Sequence, residues 1–362
     1  MANLKEATKD FIEAMSQIPS SQEDINVTLQ ECLRLLSQSS EVEVETFMKE
    51  VFELTSLPDQ QLASFASNIC GYLVEMDYSS RAILDELINF YDIILDKSRV
   101  FFEVLSVSIA NITCDDEKKK EKIEQIYSDL LNDPDIVNDD TFRAINDIDT
   151  HYTSAISLFS VDRSNLLKAK RKLKEKVAIA QQYSQGCYWL NLLFKTLFDA
   201  SVIIIDLDTK KGIVGKINGI TDNYQLQHLL MGLPQFNAVP SISDADLAVA
   251  NGSGKQIEDR DIISKWNLYN LELCAQDNWQ ELINTDSSKN ELDFRHTWIW
   301  SEGAPNDITI HGGYRVILLS KTSSEHSSKV QRTFKNLKAG IEVERELSID
   351  EINDWFNYFE KK

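Results

Sequence analysis

Apolar residues recur along the first half of the chain at the spacing of one helix face. The clearest stripe covers residues 62–74, with members at i, i+3, i+4, i+7, i+8, i+11 and i+12, as on an amphipathic helix. Asp59 precedes this stripe and is a suitable N-cap. Similar stripes predict a helix over about 80–95 and another over 100–109, separated by a polar break near Lys97.

Glycine separates the two halves of the chain. Only Gly71 and Gly186 occur before residue 200, and the other ten of the 12 glycines lie from Gly212 onward. Because glycine favours tight turns, its scarcity predicts long helices. We predict an acidic all-helical domain over residues 1–190, either a helical bundle or an α-solenoid-like array. A smaller α+β domain follows over 191–362.

Short β-branched runs replace the helical stripes in the second half. Residues 202–205 and 213–217 are two such runs, and the polar segment between them ends in glycine, which predicts a β-hairpin. The remaining segments predict strands over 294–300 and 314–319, a partly helical stretch over 266–282, a surface loop over 235–262, and a closing helix over 349–359 capped at Ser348 or Asp350. The predicted fold class is therefore α+β, with a mostly antiparallel sheet of four or five strands.

The composition indicates which cell compartment to expect and whether the chain contacts a membrane. No run of about 18–20 apolar residues is present, so we expect no membrane partner. The charged first ten residues do not predict a secretory signal. Five widely spaced cysteines form no zinc or redox motif and fit a reducing compartment. We expect a cytoplasmic protein, and no motif predicts a cofactor or a metal.

The charge distribution points to a protein partner rather than to nucleic acid. The chain has 58 acidic and 37 basic residues, a net charge of −21, and such a surface repels phosphate backbones. Residues 1–161 hold 31 acidic against 12 basic residues, a net of −19. Basic residues at 163–176 crowd a helix between Val161 and Tyr183, which we expect to dock against these acidic neighbours. An anionic partner, nucleic acid included, and an ordinary solvated face are the alternatives.

Two segments partly match catalytic motifs, but both are better interpreted as turns. Asp206 and Asp208 follow an apolar strand, as in haloacid-dehalogenase-type phosphatases, yet Lys210 occupies the position where that family has Thr or Val. A returning strand is also predicted in place of the family's helix, so we interpret both acids as turn residues. Residues 251–255 contain Gly-Ser-Gly-Lys without the spacing or the hydroxyl of a phosphate loop, and they too predict a turn.

A third segment is the best candidate for a ligand site. On a strand, alternate residues share one face, which would place an imidazole beside two indoles able to stack on a planar ligand or grip a peptide. The loop that follows would bring acids and a guanidinium close to them. The candidate ligand-binding residues are His296, Trp298, Trp300, Glu302, Asp307 and Arg315. Two core indoles with a hydrogen-bonded histidine remain the alternative.

These observations lead to two functional hypotheses. The first is a protein–protein interaction scaffold whose acidic helical surface binds another, basic protein in a salt-sensitive manner. The second is a small-ligand-binding protein or a hydrolytic enzyme with its site in the α+β domain. Nucleic-acid binding through the basic helix is a weaker third possibility and would require Lys168, Arg171 and Lys172 on one uncovered face. The oligomeric state is not predicted.

Overall fold

The computed structural model describes two compact units, Met1–Phe194 and Lys195–Lys362. The structure describes residues 3–110, 112, 116–236, 242–255, 261–270, 299, 303–321, 327–330 and 332–360. We call the two units the N-terminal unit and the C-terminal unit. In the part of the chain that is described, no helix is long and apolar enough to cross a membrane.

The described part of the N-terminal unit consists of helices and short turns. Its helices are α1 Leu4–Ser16, α2 Gln22–Leu36, α3 Glu41–Glu53, α4 Gln60–Glu75, α5 Leu84–Ala110, α6 Asp116–Leu131, α7 Asp139–Phe159, α8 Arg163–Ala180 and α9 Gln185–Phe194. The predicted cap of α4 is confirmed, because the Asp59 carboxylate accepts the backbone N–H groups of Gln61 and Leu62 at 2.9 and 3.1 Å.

Helices that are distant in the sequence pack against each other in this unit. Helix α4 packs on α7, α5 packs on both α7 and α8, and α9 packs on α7 and α8. A solenoid stacks each helix pair mainly on the next pair, so these neighbours describe a bundle. Gly71 allows one close approach, because a Cβ there would lie 2.8 Å from the Cα of Ser154 on α7.

The predicted break near Lys97 is wrong. Helix α5 runs without interruption from Leu84 to Ala110. The charged residues Asp96 and Lys97 are exposed on one side, while Ile94 and Phe101 stay buried on the other. Two adjacent charges therefore mark the solvent side of a long amphipathic helix and not its end.

The basic helix α8 docks against acidic residues of its own unit, as expected. Lys168 lies 2.5 Å from the carboxylate of Asp85, and Lys172 lies 3.0 Å from that of Asp92. Lys176 bridges Asp92 and Asp96 of α5 at 2.5 and 2.7 Å. Two of the three cations that nucleic-acid binding would require are thus engaged with α5.

The C-terminal unit is built on a mixed, mostly antiparallel sheet, so the chain as a whole is α+β. The strands and helices are β1 Ala200–Asp206, β2 Lys211–Asn218, α10 Asn223–Met231, α11 Asp244–Asn251, β3 Asp261–Ile263, β4 Trp266–Asn270, β5 Ile310–His311, β6 Tyr314–Lys321, β7 Ser327–Lys329, β8 Gly340–Glu346 and α12 Ile349–Glu360. The six-stranded sheet has the order β4-β6-β1-β2-β8, with β5 paired to β6, and β3 pairs with β7 separately. The β1–β2 hairpin is confirmed, and β1 and β6 form a parallel pair.

Each face of the sheet has its own apolar cluster. Alternate residues of β1 separate the two faces: Ile204 belongs to the cluster that α10 and α11 complete, and Ile203 and Ile205 belong to the other. Ile352 and Phe356 of α12 close this second cluster. Helix α12 therefore lies over the face that carries Ile203.

Three predictions for this unit are wrong or incomplete. Trp266–Asn270, placed in a partly helical stretch, is the strand β4, and the rest of that stretch lies outside the described residues. The predicted loop over 235–262 contains helix α11, which begins after the Ser243 cap and ends at left-handed Gly252. Strand β8 was not predicted, and with it the sheet reaches six strands instead of four or five.

Candidate functional site

Two of the six predicted ligand-binding residues can be located. His296, Trp298, Trp300 and Glu302 lie outside the described residues. Arg315 on β6 donates its Nε–H to the carbonyl oxygen of Pro305 at 3.0 Å, and burial lowers its pKa while nearby Asp307 opposes that effect. Asp307 forms an ion pair with Lys195 at 3.0 Å. Arg315 thus braces the turn that carries Asp307, and a ligand site around them stays a prediction.

The acids after β1 form a turn, as expected. The Asp206 side chain is buried, and its Oδ1 accepts the backbone N–H groups of Asp208 and Thr209 at 3.0 and 3.3 Å. These bonds reverse the chain into β2, which pairs directly with β1. Asp206 therefore serves the hairpin.

A histidine and a serine approach each other near α10. The Nε2 atom of His228 lies 3.0 Å from the Oγ of Ser328, the spacing of a general base and a nucleophile. His228 is 1% exposed, and burial lowers its pKa. The nearby Asp222 carboxylate does not orient the imidazole: it caps α10 through Gln225 N–H and accepts the Thr333 hydroxyl at 2.8 Å. A substrate would have to reach a side chain that is closed from solvent, so we interpret the pair as structural.

A more accessible site lies on the sheet face beside α12. Ile203 and Val214, which are paired across β1 and β2, lie at its floor. One side is formed by the α12 residues Glu351, Asp354, Trp355 and Tyr358, spaced i, i+3, i+4 and i+7 along one helix face. Gly312, Tyr314, Arg345 and Leu347 complete the lining of this cavity, which has a volume of about 370 Å³. We call it the α12 cleft; its size is within the range of small-ligand pockets.

The N-terminus of α12 fixes one end of the cleft. Ser348 and Glu351 form a capping box: the Ser348 N–H donates to the Glu351 carboxylate at 2.9 Å, and the Glu351 N–H donates to the Ser348 hydroxyl at 3.3 Å. Arg345 of β8 lies 2.8 Å from the same carboxylate. The Arg345 guanidinium and the Ser348 donors lower the pKa of Glu351 to about 2, so this residue is charged at neutral pH.

Three aromatic rings, two of them on α12, line the cleft. The ring centroids of Tyr314 and Trp355 are 6.2 Å apart with planes at 81°, and those of Trp355 and Tyr358 are 6.0 Å apart with planes at 70°. These are edge-to-face contacts, in which the planes of neighbouring rings are nearly perpendicular. Tyr358 is 40% exposed, and Tyr314 and Trp355 are half-buried. Solvent-accessible aromatic groups therefore surround an apolar floor.

The charges at the cleft do not cancel. Arg345 and Glu351 neutralise each other as an ion pair, and Asp354 adds one further negative charge on the exposed side of α12. Among the described residues, no group of three or more His, Cys, Asp or Glu side chains could hold a metal ion. The arrangement suits an occupant with apolar surface and positive charge.

A comparison of the chain with protein-family models, with curated proteins and with solved structures finds no match. The geometry of the cleft therefore carries the functional argument.

Sequence reasoning missed this cleft for two reasons. The closing helix and its cap, for which Ser348 was one of two candidates, were predicted correctly. The periodicity of apolar residues does not show which aromatic residues on the polar face of this helix remain accessible. Strand β8 was missed because its exposed glutamates hid the alternation of Ile341, Val343 and Arg345. That period of two was the available signal for Ile341 and Val343, which pack on the α10 side of the sheet. A bulge between Val214 and Gly215 then shifts the register and pairs Arg345 with Val214 on the α12 side.

Proposed function

We propose that this chain is a binding protein whose α12 cleft receives a basic segment of a protein partner. The observation that carries the proposal is the row of accessible aromatic residues, Tyr314, Trp355 and Tyr358, over an apolar floor. Aromatic side chains in pockets are the residues that most often dominate binding energy at interfaces. The excess charge of Asp354 favours a cationic residue in the bound segment.

The chemistry of the cleft favours binding over hydrolysis. Acid–base catalysis requires a side chain that exchanges its proton near the working pH. Glu351 instead has a pKa of about 2 and is fixed by Arg345 and Ser348. The buried His228–Ser328 pair, the best support for a hydrolytic enzyme, is shielded from solvent at the imidazole.

The acidic N-terminal unit supports the same kind of partner. Its basic helix α8 pairs with α5 and neutralises part of the acidic excess over residues 1–161. Residues 1–194 as a whole still hold 33 acidic against 19 basic residues, a net charge of −14 that acts on other molecules. Such a field attracts a basic protein from a distance and weakens as salt is added. We place this interaction in the cytoplasm, where the buried thiols of Cys32, Cys70 and Cys187 would stay reduced.

The experiment is a selection of peptides from a random display library on the immobilised full-length chain, followed by affinity measurement. We expect selected peptides to carry basic residues and to bind Trp355→Ala at least about tenfold more weakly, since interface aromatics are often worth more than 1 kcal/mol. The matched control is Tyr72→Ala, which removes a 52% exposed aromatic residue of α4, outside the cleft. Equal affinity for wild type and Trp355→Ala would show that the cleft is not the binding site.

A further inference from the structure

We propose that the α12 cleft is an aromatic cage for an alkylated ammonium group, the cation of a methylated lysine side chain on the protein partner. This inference rests on the proposed function and names the group that anchors the partner. Nothing in the sequence pattern pointed to it. It follows from how three rings, one carboxylate and an apolar floor lie around one cavity.

Three aromatic rings line the cavity that such a cation would enter. A cation is attracted to the face of an aromatic ring within about 6 Å of its centroid, and tryptophan gives the strongest attraction. Trp355 lies between two tyrosines, and its plane is at 81° to Tyr314 and at 70° to Tyr358. All three rings line the same cavity, so a cation held there lies beside more than one aromatic ring.

The electrostatics select a single positive charge. Glu351 is neutralised by Arg345 at 2.8 Å, whereas Asp354, one residue before Trp355, has no ion pair within the described chain. The cavity lining therefore carries a net charge of −1, contributed by Asp354. That charge would repel an anionic occupant and would not stabilise a neutral one.

The apolar floor of the cleft favours binding of an alkylated ammonium over an unmodified one. Ile203 and Val214 offer no hydrogen-bond acceptor on their side chains, so an unmodified lysine ammonium would lose part of its hydration without replacement. Methyl groups remove the N–H donors and supply apolar surface that fits the floor. The volume of about 370 Å³ also leaves room for the aliphatic part of the side chain.

The first arm of the test uses small probes on the full-length chain. Choline is titrated while the indole N–H signal of Trp355, assigned with Trp355→Phe, is followed by NMR. The matched control probe is 3,3-dimethylbutan-1-ol, which has the same shape without the charge. We expect choline to shift the signal and the neutral analogue to bind at least about tenfold more weakly. Equal binding of the two probes, or no effect of choline on Trp355, would overturn the inference.

Two variants separate the cage from a general effect on folding. Asp354→Asn keeps the shape of the side chain and should weaken choline binding several-fold. Tyr358→Ala removes an exposed ring, so we expect the far-UV circular dichroism to be retained and choline binding to be weakened. A folded Tyr358→Ala protein that binds choline as wild type does would contradict the cage.

The second arm identifies the source of the cation. A peptide obtained in the display selection is prepared with lysine or with trimethyllysine at its basic position. We expect the trimethylated form to bind at least about tenfold more tightly. If both forms bind equally through Trp355, the cage is wrong but the proposed function stands; if neither choline nor either peptide form binds, both fail. If choline binds and the peptides do not, the cation belongs to a small molecule and the assignment to a protein partner is wrong.

Discussion

Acid sensitivity of the N-terminal unit should arise in large part from one buried histidine, His151 on α7. Its side chain is fully buried, and its ring lies 5.1 Å from that of Phe90, centroid to centroid. Neither ring nitrogen has a hydrogen-bond partner among the described residues, and Asp147 Oδ1 is 3.8 Å from Nε2. Burial, with a smaller effect from the charge of Arg143, lowers the pKa of His151 from 6.5 to about 4.

This pKa determines both the sign and the size of the effect. Between pH 6.5 and about 4 the unfolded chain binds a proton at His151 that the folded chain excludes, so stability is lost as the pH falls through this window. Each pKa unit corresponds to about 1.4 kcal/mol, so the full loss by pH 4 is about 3 kcal/mol. Burial raises the pKa of neighbouring Asp147. The contribution of Asp147 to stability therefore increases as the pH falls through its titration, opposite to that of His151.

The comparison of wild type with His151→Leu isolates the contribution of His151 to the pH dependence of stability, because both proteins keep Asp147. Urea unfolding followed by far-UV circular dichroism at pH values from 4.5 to 7.5 reports mainly on the helical unit. At pH 7.5 the variant should be about as stable as wild type, since it removes a buried ring without hydrogen bonds. Towards pH 4.5 wild type should lose about 2–3 kcal/mol more than the variant. The same pH dependence in both proteins would refute the reasoning.

Four further substitutions, one of them a control, test interactions within each of the two units. Lys176→Met removes the ion pairs to α5 and should lower the free energy of unfolding by about 0.5 kcal/mol in low salt and less in 0.5 M salt, as measured by urea unfolding. Gly215→Ala would place a Cβ 2.3 Å from the carbonyl oxygen of Glu342 on β8 and should cost about 2 kcal/mol or more, whereas Gly340→Ala, which meets nothing within 4 Å, should cost less than about 1 kcal/mol. Ser348→Ala breaks the capping box of α12 and should cost about 1 kcal/mol in thermal unfolding, and an unchanged stability would show that the cap does not hold the helix.

Local patterns predicted those elements whose signals lie within a few residues. The stripe of α4 with its Asp59 cap, the β1–β2 hairpin, and α12 with its Ser348 cap each follow from periodicity and one terminal residue. The glycine distribution predicted which half is helical. These features form through backbone hydrogen bonding and capping, which depend on neighbouring residues.

Features that depend on tertiary packing were not predicted. Helix α5 continues through Lys97 because its apolar face stays buried, and β4 is a strand because it pairs with β6. The α12 cleft needs β1, β2, β8 and α12 together, and no single segment contains its signal. Of the predicted ligand residues, Asp307 lies on a turn that Arg315 of β6 braces through the Pro305 carbonyl, an arrangement that the spacing alone could only suggest.

The most direct test of the account is the affinity of a display-selected basic peptide for wild type, Trp355→Ala and Tyr72→Ala in the same buffer. We expect the first substitution to weaken binding at least about tenfold and the second to leave it unchanged. Equal affinity for wild type and Trp355→Ala would contradict the claim that the α12 cleft is the binding site of this protein.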